Sequence, residues 1–223
     1  MTRRTPQQRF SNLDLAGERR EYLGQRLLES GSPAEPYELF TSWLEQALAA
    51  RLLDATAMVL STASREGVPS ARVVLLKGHD ARGLVFYTRH DAQKVDEIGQ
   101  NPRASCLFHW RELDRQVRFE GTVESVSPEE SRAYFVSRPR SSQLAARATS
   151  GLTRVTAEEL EEHFAAAVKE WEGRDVEMPA DWGGFRVQPL RVEFWQGRPN
   201  RLHDRLVYEQ NGEAVWQRHR LAP

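Results

Sequence analysis

The sequence predicts a mainly β fold with flanking helices (α+β), built as an antiparallel barrel, on three observations. From Ala57 onward, apolar residues alternate with polar ones in short runs at near-regular intervals, which is the period of strands rather than helices. Tight-turn signals such as Arg65-Glu66-Gly67 and Asn211-Gly212 separate those runs. Segments of helical period stand before and between them, placed to cover the ends of a barrel.

The chain opens with a polar stretch, residues 1–17, expected to be a flexible N-terminal segment ahead of one domain over 18–223. Residues 18–29 carry Tyr22, Leu23, Leu27 and Leu28 among charges and predict a short helix, ended by Gly31-Ser32-Pro33. Pro36 opens a second helix to about Leu53, with Leu39, Phe40, Trp43, Leu44, Ala47 and Leu48 on one apolar face that should cap the barrel. Strands are expected at 57–63, 69–77, 83–88, 104–110 and 115–126, interrupted by a helix at about 91–100 that Asn101-Pro102 stops. The runs Arg72–Lys77 and Leu84–Thr88, joined by a polar turn with Gly78 and Gly83, read as an antiparallel hairpin. Ser127-Pro128 reads as an N-cap with proline in the first turn of a helix to 137, which Arg138-Pro139-Arg140 breaks. A helical turn at 141–149 and a longer helix at 156–172, with Leu160, Phe164, Val168 and Trp171 on one face, come next. Strands at 184–187, 190–196, 203–209 and 214–220 close the chain, the last two joined around Asn211-Gly212.

Composition narrows the function classes. With 223 residues, 39% of them hydrophobic, the chain can bury a substantial core. Basic and acidic residues nearly balance, 31 against 32, which argues against a nucleic-acid partner. No run of about 18 apolar residues occurs, so no membrane partner is expected. Cys106 is the single cysteine; it cannot form an internal disulfide, fits a cytoplasmic location, and in its apolar run reads as buried filler.

No Gly-rich phosphate loop, no Gly-x-Ser-x-Gly and no metal-ligand spacing of the six histidines is present. Basic and hydroxyl residues instead gather at strand ends: Arg72, Lys77, Tyr87, Thr88, Lys94, Tyr134, Arg138, Ser142, Arg201, His203 and Arg205. Such groups donate charge-assisted hydrogen bonds to phosphate oxygens. Arg72 and Lys77 lie five residues apart, on opposite faces of a regular strand and about 17 Å from one another, enough to serve two anionic groups. Two clusters imply one bis-anionic ligand or two phosphorylated ones.

Several motifs follow in a particular order: Arg72–Lys77, Phe86-Tyr87-Thr88, Arg115-Gln116-Val117, Tyr134-Phe135 with Ser137–Arg140, Trp182–Arg186, Phe194–Arg205 and the closing Arg220–Pro223. From about Arg19 to Pro223, this pattern resembles the pyridoxamine 5'-phosphate oxidase family of FMN-binding split β-barrels. The resemblance implies an FMN site made of Arg72, Val73, Leu75, Lys77, Tyr87, Thr88, Gln93, Lys94, Gln116, Trp195 and Arg205. It implies that Lys77, Tyr134, Arg138 and Ser142 hold the substrate phosphate, that Arg201 and His203 are catalytic groups closing over the pyridine ring, and that Arg19 and Tyr22 belong to an N-terminal lid. A homodimer with FMN at its interface is implied as well. The implied reaction oxidises the C4' amine or alcohol of pyridoxamine or pyridoxine 5'-phosphate by hydride transfer to the flavin. Pyridoxal 5'-phosphate results, and oxygen leaves as hydrogen peroxide.

Three positions depart from the family pattern. Ala92-Gln93-Lys94 stands where the family carries Ser-Arg-Lys, Gly151-Leu152 where it carries Gln-Ser, and Arg147 where it carries Trp. All three lie on the cofactor side, so weaker FMN binding is expected, with Arg147 the nearest residue able to replace the missing contacts. Two alternatives accompany this reading: a split-barrel flavin oxidase of secondary metabolism, similar to the phenazine-pathway oxidases, and a non-catalytic pyridoxal 5'-phosphate binding protein. The intact Lys77, Tyr134, Arg138 and Ser142 weigh against the first.

Overall fold

The computed structural model describes residues 20–211 and 215–223. Arg19 and the 1–17 segment lie outside the described residues. The strands are β1 (Ala57–Ala63), β2 (Pro69–Leu75), β3 (Gly78–Asp80), β4 (Gly83–Arg89), β5 (Arg103–Trp110), β6 (Arg115–Ser125), β7 (Trp182–Gln196), β8 (Asp204–Gln210) and β9 (Trp216–Leu221). The α-helices are α1 (Pro36–Ala49), α2 (Gln93–Gln100), α3 (Pro128–Ser137), α4 (Arg140–Ala148) and α5 (Ala157–Glu170).

All strand pairs are antiparallel, and the sheet runs β2-β1-β5-β6-β7-β4-β3, with β8 on β7 and β9 on β8. The long β7 organises it. One edge of β7 pairs with β6 along its length, whereas the other pairs with β4 over Trp182–Val187 and with β8 over Arg191–Gln196. The changeover falls at a bulge opposite Glu120/Gly121. A Cβ on Gly121 would stand 1.9 Å from the Gln188 carbonyl oxygen, so this close crossing needs glycine. The two strands expected at 184–187 and 190–196 are therefore one.

The barrel interior is packed with Leu60, Phe86, Phe108, Val117, Phe119, Val187 and Phe194, all fully buried, and α1 caps it as expected. Phe40 of α1 meets Phe108 and Phe119 at ring distances of 5.0 and 4.9 Å. Cys106 is fully buried and its thiol is pushed up to about 12 by desolvation, in keeping with a filler role. No helix among the described residues is long and apolar enough to cross a membrane.

Three local expectations are corrected. Residues 20–28 form no helix, only a strap ended by a single 3-10 turn at Glu29–Gly31. Its amides are spent elsewhere: Leu23 N donates to Asp114 Oδ2 (3.0 Å) and Leu27 N to Asp204 Oδ2 (2.9 Å). Gly24 presses on Gln196 and the Gly197 carbonyl so closely that a Cβ would collide with both. The Arg72–Lys77 and Leu84–Thr88 runs do not pair as a hairpin, because β2 pairs with β1 and the intended turn residues Gly78–Asp80 form β3 against β4. The second helix stops at Ala49 rather than Leu53, where Arg51 and Asp54 take left-handed backbone angles. On α5, Leu160, Phe164 and Val168 remain exposed, and only Ala167 of the helix and Trp171 at its C-cap are buried.

Candidate active site

β2, β4, α2 and α3 deliver their polar side chains to one cavity of about 350 Å³. Arg72, Lys77, Lys94 and Arg138 line it together with Val73, Val74, Leu75, Tyr87, Thr88, Tyr134 and Trp182. Among the described residues, four cations and no carboxylate line this space. Lys77 and Arg72 were expected on opposite faces, but β2 ends at Leu75, and the chain turns before Lys77 so that both reach the same cavity.

The aromatic wall is ordered by stacking. Tyr87 lies 3.9 Å from Tyr134 and 5.4 Å from Trp182, with planes 18° and 11° apart, and the Arg138 guanidinium sits 4.9 Å over Trp182. Arg138 Nη1 is buried with no hydrogen-bond partner among the described residues. A buried orphan donor of a cation is costly unless something anionic completes it. Burial also lowers the pKa of Arg138, and Lys94 is lowered by desolvation and then by the like charges of Arg72 and Arg89.

Arg72 is held from behind. Its Nη atoms donate to the hydroxyls of Thr62 and Ser70 and to the Leu60 carbonyl, and both hydroxyls donate on to Glu97 Oε2. The carboxylate of Glu97 is buried, lies 3.4 Å from Arg72 Nη2, and also accepts from Gln93 Nε2 at 2.8 Å. The hydrogen bonds from Ser70 and Thr62 lead in holding this carboxyl down at about 2, with Gln93 and the charge of Arg72 adding to them. Lys94 Nζ donates to Thr88 Oγ1 at 3.2 Å. Thr88 and Lys94 also line a neighbouring cavity of about 390 Å³ with Arg89, Asp91, Ala92, Gln93, Leu152 and Thr153.

The remaining expected residues sit elsewhere in the chain. Gln116, Trp195 and Arg205 are cross-strand neighbours in one row of β6, β7 and β8. Arg205 Nε donates to the buried Glu193 at 2.8 Å. The His203 ring lies 4.7 Å from Trp195 and 5.0 Å from Tyr22 of the strap. Tyr22, Arg198 and Arg201 border a cavity of about 360 Å³ with Arg20, Glu21 and Asn200. This second cluster belongs to the far half of β7. Trp195 follows Gly184, the β7 partner of Tyr87, by eleven residues, roughly 35 Å of strand. One chain thus holds the expected site residues in two separate clusters. Ser142 lies in the first turn of α4 and lines neither cavity.

Comparisons with known proteins identify the family. Residues 44–196 match the family described as pyridoxamine 5'-phosphate oxidase, and residues 182–223 match the pyridoxine 5'-phosphate oxidase C-terminal dimerisation region. The chain belongs to the pyridoxamine 5'-phosphate oxidase family. A pyridoxine/pyridoxamine 5'-phosphate oxidase of Rubrobacter xylanophilus is 53% identical over 94% of this chain and 97% of its own length. One of the same name from Microcystis aeruginosa is 46% identical over 95% and 100%. Among solved structures, PhzG of Burkholderia lata, in complex with tetrahydrophenazine-1-carboxylic acid, superposes with a TM-score of 0.84 at 30% identity, covering 90% of this chain and 99% of PhzG. An FMN binding protein from Nostoc punctiforme related to pyridoxamine 5'-phosphate oxidase shares the fold, with a TM-score of 0.69 at 18% identity over 86% and 100%. As a member of this oxidase family the chain is an oxidoreductase, and Trp195, His203 and Arg205 fall within the matched dimerisation region.

The three departures from the oxidase pattern have visible local consequences. Gln93 turns its amide to Glu97. Gly151 has φ +72° and donates its N–H to Asp181, while the Leu152 carbonyl accepts from Arg89. Arg147 holds its guanidinium 5.0 Å over Trp171 and lines neither of the two cavities at Lys94. Arg89 is the cation beside Lys94 instead, paired with Asp91. Nothing in the sequence singled out Arg89, Thr62, Ser70 or Glu97. For Glu97 a signal was available, because it lies four residues after Gln93 on a short helix and so shares its face.

Proposed function

We propose that the protein oxidises pyridoxamine 5'-phosphate or pyridoxine 5'-phosphate to pyridoxal 5'-phosphate with FMN as cofactor and oxygen as terminal acceptor, releasing hydrogen peroxide. The observation that carries this reading is the convergence of Arg72, Lys77, Lys94 and Arg138 on one cavity that no carboxylate lines, with a buried donor of Arg138 left unpaired. Such a donor set suits two phosphate groups.

The residues present fit FMN. Arg72, Thr88 and Lys94 would hold its phosphate, with Val73 and Leu75 beside the ring system and Tyr87 in the wall. Gln116, Trp195 and Arg205 would approach from the partner subunit, because one chain keeps them at the far half of β7. Bound there, FMN supplies the two-electron acceptor that no side chain of this protein can provide. Lys77, Tyr134 and Arg138 would fix the substrate phosphate, and Arg201 and His203 would orient the pyridine ring with Tyr22 against the His203 ring. Pinning both phosphates sets the reacting carbon against the acceptor, which is the main lever available to the protein.

The test is formation of pyridoxal 5'-phosphate from pyridoxamine 5'-phosphate with added FMN, followed with and without oxygen. Oxygen-dependent product with equimolar peroxide is expected. Binding of pyridoxal 5'-phosphate without turnover would make the protein a carrier. Turnover of an unphosphorylated tricyclic carboxylate in preference would align it with PhzG.

A further inference from the structure

Arg138 stands at the C-terminal cap of α3, where an arginine ordinarily turns back onto the free carbonyls of the last turn. Those carbonyls are already taken. Gln143 Nε2 donates to the Phe135, Val136 and Arg138 oxygens at 3.2, 3.0 and 3.1 Å, and Arg138 N donates to the Phe135 carbonyl at 3.2 Å. The backbone of Arg138 is thereby fixed, and its guanidinium is turned away from the helix end. Among the described residues it forms no ion pair.

The guanidinium rests on aromatic faces instead, 4.9 Å from the Trp182 ring and 5.8 Å from that of Phe135. Trp182 is a firm platform. It opens β7, pairs with Arg89 of β4, donates its backbone N–H to the Pro179 carbonyl at 3.2 Å and is buried. Phe135 meets its ring edge to face at 5.3 Å, and Tyr87 and Tyr134 lie nearly parallel to it at 5.4 and 6.2 Å. A carboxylate in this place would neutralise the guanidinium and occupy its donors. A ring face attracts the cation through its quadrupole and leaves both charge and donors available. The buried, unpaired Nη1 is such a donor.

We infer that Trp182 is the positioning residue of Arg138, holding its guanidinium charged and unpaired for the phosphate monoester of the substrate, so that the indole sets the preference for the phosphorylated form of the ligand over the unphosphorylated one. The phosphate role of Arg138 rests on the proposed oxidase function; the hold of Trp182 on Arg138 does not. Trp182 also belongs to a small core with Leu144 and Trp171, where it could serve as filler alone. A filler acts on every ligand of the cavity alike, whereas a positioning residue acts only through Arg138.

A double-mutant cycle in the full-length protein with FMN added separates the two. It is read by calorimetric titration with pyridoxal 5'-phosphate and with pyridoxal, and by steady-state oxidation of pyridoxamine 5'-phosphate. Trp182→Met keeps an apolar filler and removes the ring face. It is expected to weaken pyridoxal 5'-phosphate binding about five- to thirtyfold and to raise KM by the same factor with kcat little changed, while pyridoxal binds as to wild type. Trp182→Phe restores a weaker face and should lose about threefold. In an Arg138→Ala background neither substitution is expected to weaken binding further, because the group through which they act is gone. Unchanged affinity in Trp182→Met, losses that add in full to that of Arg138→Ala, or equal losses for pyridoxal and its phosphate refute the inference. Should Trp182→Met not fold, the cycle with Trp182→Phe decides alone. A wild type that neither binds pyridoxal 5'-phosphate nor oxidises pyridoxamine 5'-phosphate overturns the oxidase reading; one that does both but gives an additive cycle overturns only the role of Trp182.

Discussion

Replacing Glu97 with glutamine isolates the anchor behind Arg72. Glutamine has the shape of the protonated carboxylic acid, so Glu97→Gln mimics at every pH the state that the native carboxyl reaches only in strong acid. In the folded protein, hydrogen bonds from Ser70, Thr62 and Gln93 and the charge of Arg72 bring the carboxyl from an ordinary 4.5 to about 2. At about 1.4 kcal/mol per tenfold in proton affinity, the ionised group contributes about 3 kcal/mol to folding near neutral pH. The sign follows from the depressed value. The contribution is complete above the unfolded value of 4.5 and fades as pH falls from about 5 towards 2, leaving about 1 kcal/mol at pH 3. Urea unfolding of wild type and Glu97→Gln at pH 7 and pH 3, at one protein concentration because a dimer's stability depends on it, is the assay. The difference in unfolding free energy should shrink from about 3 to about 1 kcal/mol. A difference that is the same at both pH values, or below about 1 kcal/mol at pH 7, would mean that the hydroxyls and Arg72 are held equally well by a neutral amide, and the anchor argument fails.

Two further outcomes follow from the cavity. Arg138→Ala is expected to raise the KM for the phosphorylated substrate about ten- to a hundredfold, the worth of a charge-assisted contact, and unchanged kinetics would remove Arg138 from the site. In fluorescence-quenching titrations of the apo-protein, Gln93→Arg should tighten FMN binding by about tenfold, the low end for a charged contact, because Glu97 competes for the new guanidinium. Gly151→Gln with Leu152→Ser should gain less, since φ +72° at position 151 strains any side chain by about 1 kcal/mol. A wild type that already binds as tightly as Gln93→Arg would point to Arg89 as the substitute cation.

What the sequence made legible was local. Alternation placed β1, β5 and β6 to within a residue or two, and Ser127-Pro128 marked the start of α3, where the Ser127 hydroxyl does accept from Glu130 N. Misreadings arose where a distant partner outbid a local signal. Tyr22, Leu23, Leu27 and Leu28 have helical spacing, yet the amides of that segment are claimed by carboxylates 91 and 177 residues away. Glycines around 78–83 favoured a β2–β4 turn, but β2 found its register on β1, and only a short β3 remained for β4. On α5 the spacing put Leu160, Phe164 and Val168 on one face but did not say what that face meets, and in the fold it stays exposed.

The candidate site shows the same limit at larger scale. Each motif was legible as chemistry, because arginines, lysines and hydroxyls at strand ends carry their meaning with them. Which motifs share a site was not, since that depends on how far apart β7 sets its two halves. Tyr87 and Trp182 lie at its beginning, Trp195 at its end, and Gln116 and Arg205 flank Trp195 on the adjacent strands. A strand of fifteen residues keeps its ends apart whatever its composition, so residues at the two ends can meet on one ligand only if a second copy brings the far end of its own β7 to the cavity of the first. The match of residues 182–223 to a dimerisation region fits that requirement. Pairing of two copies would then be a condition for a complete site, and the four cations of one chain's cavity, Arg138 among them, would need the Trp195 row of the other.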